Sequence, residues 1–160
     1  MRRASICLAS TLLATAITSG CSTATKNSDS SAPPPTAQSA AEAIKAAIPE
    51  ITALVPVTES NDANNMIGRS NGYVALTVLV DPRTGEHCDL TKPGIACGAG
   101  IEQWPNAAAA EKRDFINKSV LSSAPILNTE YSVLKNNLLL RIDGKLKPSE
   151  ADAYKKAFLG

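Results

Sequence analysis

Residues 73–80 read Tyr-Val-Ala-Leu-Thr-Val-Leu-Val, and no other stretch restricts the fold as strongly. Val, Leu, Thr and Tyr suit a pleated backbone, and Asp81-Pro82-Arg83-Thr84-Gly85 behind them reads as a turn. A strand with one wet face alternates apolar and polar residues. This one is apolar at nearly every position, which suits a strand covered on both faces or a central strand. Residues 100–104 (GIEQW) do alternate and fit a half-buried strand, with Ile101 and Gln103 facing opposite ways to Glu102 and Trp104. Residues 131–135 and 138–142 read as two more strands, joined at Asn136-Asn137, a two-residue turn whose asparagines tolerate positive φ.

Helical signals lie between and around these strands. Pro105-Asn106 opens the longest helix, with Asn106 as N-cap and 107–122 as its body. Its apolar stripe is expected to be Ala109, Ile116 and Val120 with Phe115, and its wet side Lys112, Arg113, Asp114 and Lys118. A closing helix starts at Pro148 and Glu150 and buries Ala151, Tyr154 and Phe158 at helical spacing. Residues 40–48 fit either a short helix or a partly helical end of the preceding segment. Residues 59–69 are dense in capping side chains and are expected to hold a one-turn helix stopped at Gly68. Their Asn and Asp run also has oxygen ligands for calcium, although its spacing is not that of an EF-hand. The expected domain is α+β and spans 51–160: a four-stranded, mainly antiparallel sheet in the order ββαββα, with two helices on one face.

The first fifty residues are of another kind. Arg2 and Arg3 precede an apolar run over 4–17, and Thr18-Ser19-Gly20 leads into Cys21. A positive start, a short apolar core and small residues at the cut describe an export signal over 1–20. The run is shorter than the roughly 20 residues of a membrane-spanning helix. The stretch resembles the bacterial lipobox, with Thr18 where that motif most often has leucine. The resemblance implies that the Cys21 thiol receives a diacylglycerol and becomes the mature N-terminus, anchoring the protein to the extracytoplasmic face of the cell membrane. Two or three acyl chains hold a protein stably on a bilayer, at about 0.8 kcal/mol per buried CH₂. Residues 22–38, rich in Ser, Thr and Ala with Pro33, Pro34 and Pro35, read as a disordered tether within a 21–50 linker.

The full chain carries 16 basic and 15 acidic side chains. Arg2 and Arg3 leave with the signal, so 14 basic face 15 acidic ones and the mature balance is −1. Near-neutrality gives no electrostatic reason to expect nucleic acid. Of four cysteines, Cys7 lies in the signal and Cys21 is the acylation site, leaving Cys88 and Cys97 as a pair in an oxidising setting. One disulfide is expected, since no C-x-x-C marks a redox thiol and His87 is the sole histidine available to a zinc site.

The run 59–73 (ESNDANNMIGRSNGY), the strand leading into Trp104-Pro105 and an alanine-rich helix, and Leu140-Arg141-Ile142-Asp143-Gly144 before a Pro-initiated helix resemble a group of small lipoproteins of actinobacteria and their phages. That resemblance covers 59–158 and implies an envelope location, with superinfection exclusion as a role for phage-borne members. It implies no catalytic residues. The chain holds no H-E-x-x-H, no P-loop, no G-x-G-x-x-G and no G-x-S-x-G. The expectation is therefore a non-catalytic protein without cofactor or metal that binds another envelope or phage protein. The expected partner surface is Asn61, Asp62, Asn64 and Arg69, with the disulfide loop and Trp104. Two rivals are a domain that blocks phage entry and a cell-wall enzyme accessory or minor hydrolase, the last requiring a pocket built from Asp62, His87 or Glu102.

Overall fold

The structure, a computed structural model, describes residues 34–124 and 129–160. The elements in chain order are α1 (Ala37–Ala47), β1 (Ala53–Val57), β2 (Ala75–Val80), β3 (Gly98–Gln103), α2 (Ala107–Ser123), β4 (Glu130–Lys135), β5 (Leu138–Asp143) and α3 (Pro148–Leu159). The class is α+β, with a five-stranded sheet in the order β1-β2-β3-β5-β4 and every neighbouring pair antiparallel. The expected signal, Cys21 and most of the tether lie outside the described residues.

The fifth strand is β1, which pairs with β2 from Ala53↔Val80 to Val57↔Leu76. Pro56 argues against a strand in the sequence because it cannot donate to a ladder. On an edge strand that loss is tolerated, and Pro56 is exposed there. As expected, β2 is covered on both faces, with Leu76 through Leu79 all buried. Strand β3 departs from its half-buried reading: Gly98 through Glu102 are all buried. The hairpin turn is as expected, with Asn136 at φ 55° between β4 and β5.

The third helix is α1, and it belongs to the core instead of the tether. Thr36 caps it by accepting from the Ser39 amide at 3.1 Å, and Ala37, Ala41 and Ile44 form a buried stripe. The Ala37 amide donates to Gln103 Oε1 at 3.1 Å, fastening the helix to β3. Residues 37 and 38, assigned to the tether above, are thus folded, and the compact unit begins before Ile51.

The expectation of two helices on one face is corrected in its pairing. Helices α1 and α3 share one face, where Ile44, Ile48, Tyr154 and Phe158 pack on Leu79, Ile101, Leu140 and Ile142. Helix α2 lies on the opposite face, where Ala110 joins Leu76, Val78, Leu139, Tyr73 and Trp104. Each fully buried aliphatic or aromatic side chain contributes roughly 1.5–3 kcal/mol. The chain must cross from β3 to the outer strand β4 past β5, and α2 is that crossover.

Cys88 and Cys97 are joined, with Cα atoms 4.8 Å apart. The loop they close leads directly into β3 through Gly98, whose φ is +145° and where an added Cβ would lie 2.7 Å from the Leu79 carbonyl oxygen. Reducing the disulfide is expected to lower stability by about 2–3 kcal/mol, the chain-entropy value for a ten-residue loop. Urea midpoints of oxidised and reduced protein check this.

Candidate functional site

Helix α2 turns two residues of its expected wet side, Arg113 and Asp114, toward the sheet, while Lys112 and Lys118 stay exposed as expected. Asn106 caps it through the Ala109 amide at 2.9 Å, as expected. Ala110 and Asp114 are its buried residues, whereas Phe115 is 71% exposed, Ile116 43% and Val120 48%. Of the expected stripe, Ala109 packs against the core, whereas Ile116, Val120 and Phe115 are turned outward. The cause lies beneath the helix, where β3, β5 and β4 direct Glu102, Arg141 and Ser132 to the same sheet face.

These side chains form a connected ionic cluster. Glu102 is fully buried, and its Oε1 accepts from Arg141 Nη1 at 2.8 Å while its Oε2 accepts from Trp104 Nε1 at 3.0 Å. Arg141 also donates through Nε and Nη2 to the two oxygens of Glu130, at 2.9 and 2.7 Å, a bidentate pair. Arg113 on α2 approaches Glu102 Oε2 at 3.6 Å. Asp114 accepts from Ser132 Oγ at 2.5 Å and from Lys118 Nζ at 2.6 Å, tying the helix to the edge strand. Burial would push the Arg141 guanidinium down, but Glu102 and Glu130 more than offset it and hold it above its ordinary value. A buried charge survives only when paired in this way.

The loop before β2 is organised around a second carboxylate. Asp62 Oδ1 accepts from the Asn64 amide at 3.0 Å and the Tyr73 hydroxyl at 2.5 Å. Its Oδ2 accepts from the amides of Met66 at 2.6 Å and Ile67 at 2.9 Å. The loop folds as turns and not as the expected one-turn helix. Gly72 permits the closure: a Cβ there would lie 1.9 Å from the Met66 carbonyl oxygen. With its oxygens committed to donors, Asp62 serves the loop in the way that a calcium ligand would not. Tyr73 meets Trp104 edge to face, centroids 5.9 Å apart, so the two carboxylates Asp62 and Glu102 are linked through a pair of aromatic rings.

Another buried carboxylate, Asp81, accepts from the Arg83 guanidinium and from Tyr154 Oη at 2.8 Å. Burial acts to raise Asp62 and Asp81, but the bonds from Tyr73 and the loop amides, and from Arg83 and Tyr154, hold both below the ordinary carboxylate range. Burial first, and then bonding to these carboxylates, pushes the Tyr73 and Tyr154 phenols far above theirs. The signs follow from linkage. The depressed carboxyls contribute stability that is present above their unfolded values near 3.9 and is lost as pH falls through the folded ones. The raised phenols contribute stability that is present below about pH 10 and is lost as pH rises beyond it. Urea midpoints are expected to form a plateau between these limits, and Tyr73→Phe to flatten the alkaline fall.

Three clefts border these groups. One of about 420 Å³ is lined by Glu59, Asp62, Asn65, Ile67, Gly68 and Arg69. A second, of about 270 Å³, lies between α2 and the loop and includes Met66, Asn71, Trp104, Arg113 and Ile116. A third, of about 230 Å³, lies further along α2 and includes Arg113, Ile116, Asn117, Val120, Glu130 and Arg141. Among the described residues no group of three His, Cys, Asp or Glu side chains could hold a metal ion.

Of the residues expected to meet a partner, Asn64 and Arg69 are exposed and Asn61 is half-buried, its Oδ1 accepting from the Thr58 amide at 2.6 Å. Asp62 and Trp104 are buried, 8% and 3% exposed, and act inside the domain. Of the hydrolase set, Asp62 and Glu102 are joined through Tyr73 and Trp104, while His87 is exposed just before the disulfide loop and lines none of the three clefts above. The sequence reading missed Arg113, Asn117, Glu130 and Arg141 as a group. The apolar run on both sides of Arg141 in β5 could have flagged it as an inward charge, but nothing local pairs it with residues 11 and 39 positions away.

No protein-family model, curated protein or solved structure matches the chain.

Proposed function

We propose that this chain is an exported, lipid-anchored domain of the cell envelope that binds another envelope or phage protein and carries out no chemistry of its own. The observation that carries the proposal is the orientation of α2, which presents Phe115 at 71% exposure together with Ile116 and Val120. Large exposed apolar side chains grouped on one element mark an interaction site more often than singly scattered ones do. The anchor part rests on Arg2, Arg3, the apolar run and Gly20-Cys21 of the sequence. The polar clusters beneath α2 and in the loop hold the surface rigid and need no substrate to explain them.

Two measurements test the two parts. Intact-mass analysis of membrane-extracted protein should find an N-terminus at Cys21 carrying acyl mass, and Cys21→Ala should release the protein from membranes. A photoreactive side chain placed at position 115 should give one discrete adduct in intact cells, and none when placed at exposed position 152 on α3. An unmodified, freely secreted product would overturn the anchor. Absence of any adduct at 115, or turnover of a cell-wall substrate by the purified domain, would overturn the binding role.

A further inference from the structure

We infer that the groove along one side of α2 is a binding site for an extended, apolar segment of a partner protein that carries an acidic side chain, received by Arg113 and Asn117. Arg113 Nε and Asn117 Nδ2 are buried and have no hydrogen-bond partner among the described residues. They stand four apart, on neighbouring turns of the same helix side. The two clefts beside α2 share Arg113 and Ile116, and Asn117 lines the one further along the helix.

The groove is short of acceptors and not of donors. Both oxygens of Glu130 are taken by Arg141. Both oxygens of Glu102 are engaged, by Arg141 and by Trp104. Arg113 is left with a 3.6 Å approach to Glu102 and no hydrogen bond through Nε, and its side chain is 20% exposed. A buried donor without an acceptor is destabilising, so a ligand that supplies one is favoured. A carboxylate brings two oxygens and a charge opposite to Arg113 and to Lys112 on the rim. Ile116, Val120, Met66 and Trp104 supply apolar walls on either side of the donors. From Ala109 to Leu121 the helix rises about 18 Å, the span of about five extended residues. The occupant is therefore a short strand-like segment with its acid near the middle, and its identity as protein rests on the binding role proposed above.

The test uses the full mature chain with Cys21→Ala, oxidised and ¹⁵N-labelled. The probe is a capped pentapeptide, leucine-valine-glutamate-valine-leucine, and its control has glutamine in the centre. The expected result is saturable shifts of the Arg113 Nε–H and Asn117 side-chain amide signals, with the glutamine peptide at least about tenfold weaker. Asn117→Ala should weaken the probe about tenfold while leaving the urea midpoint unchanged or higher, because it deletes an unpartnered amide; a merely structural Asn117 would lower that midpoint. The inference is overturned if millimolar probe leaves both signals in place, if the two peptides bind equally, if the signals move with protein concentration alone, or if dodecanoate moves them and the peptide does not. A productive photo-adduct at 115 with a silent groove would remove this inference and leave the binding role standing.

Discussion

Arg141→Ala is expected to cost about 3–5 kcal/mol, the range for breaking a buried ion pair by removing one partner. Glu102 is the reason. It is fully buried, and with Arg141 gone its Oε1 keeps no described donor, while Arg113 stands at 3.6 Å from the other oxygen. Glu130 loses both of its bonds to Arg141 but retains access to water, its side chain being 17% exposed. A domain of this size has a total margin on the order of 5–15 kcal/mol, so the variant should be partly unfolded at physiological temperature. The companion test replaces both ions, Glu102→Met with Arg141→Leu. Buried pairs exchanged for apolar residues of similar volume are often neutral or better, so the double variant should recover most of the loss in urea denaturation. A single variant within about 0.5 kcal/mol of the parent would mean that the cluster is hydrated and not an internal strut.

Asp62→Ala is expected to cost about 3 kcal/mol, since hydrogen bonds to a charged group contribute roughly 1.5–3 kcal/mol each and a buried group left unpaired adds its own penalty. Four donors lose their acceptor at once: the amides of Asn64, Met66 and Ile67 and the hydroxyl of the fully buried Tyr73. The effects are not additive because all four belong to one loop, which is why the figure stays near that of two bonds. Amide hydrogen exchange at Met66 and Ile67 should accelerate well before the sheet opens, and the Tyr73–Trp104 contact should loosen with it. Asp62→Asn should fall between the two, since its amide keeps one acceptor and turns a donor toward groups that are themselves donors. Unchanged exchange at Met66 and Ile67 in the alanine variant would show that the turns hold themselves.

Much of the architecture is legible because it is written locally. Residues 75–80 could be recognised as covered on both faces because the absence of alternation is itself the signal of double burial. Asn136-Asn137, Pro148 and Asn106 are local instructions: positive φ, a first-turn proline and a side-chain cap act within a few residues, and the structure uses all three. The Cys88–Cys97 pair is present for a similar reason, since nine positions of separation and two turn-forming glycines bring the sulfurs within reach. Strand β1 was hidden by Pro56, whose meaning depends on whether its strand is an edge. Helix α1 was one of two readings of 40–48, and its place in the core was hidden by composition, because an alanine-rich stretch after a proline run gives little evidence of a core face until a sheet exists to receive it.

The candidate site shows the same division more sharply. The sequence alone determined the Cys88–Cys97 pair, the α+β class and the starts of α2 and α3, all of which depend on short-range chemistry. It could not determine which side of α2 turns inward, because that helix has apolar and polar residues enough for either choice. Only the tertiary structure decided it: β3 and β5 place Glu102 and Arg141 under the helix, and charges removed from water demand charged or hydrogen-bonding partners more strongly than Ile116, Val120 and Phe115 demand burial. The helix therefore gives Arg113 and Asp114 to the sheet beside Ala110 and leaves Phe115, Ile116 and Val120 exposed, and the surface available to a partner follows from that arrangement.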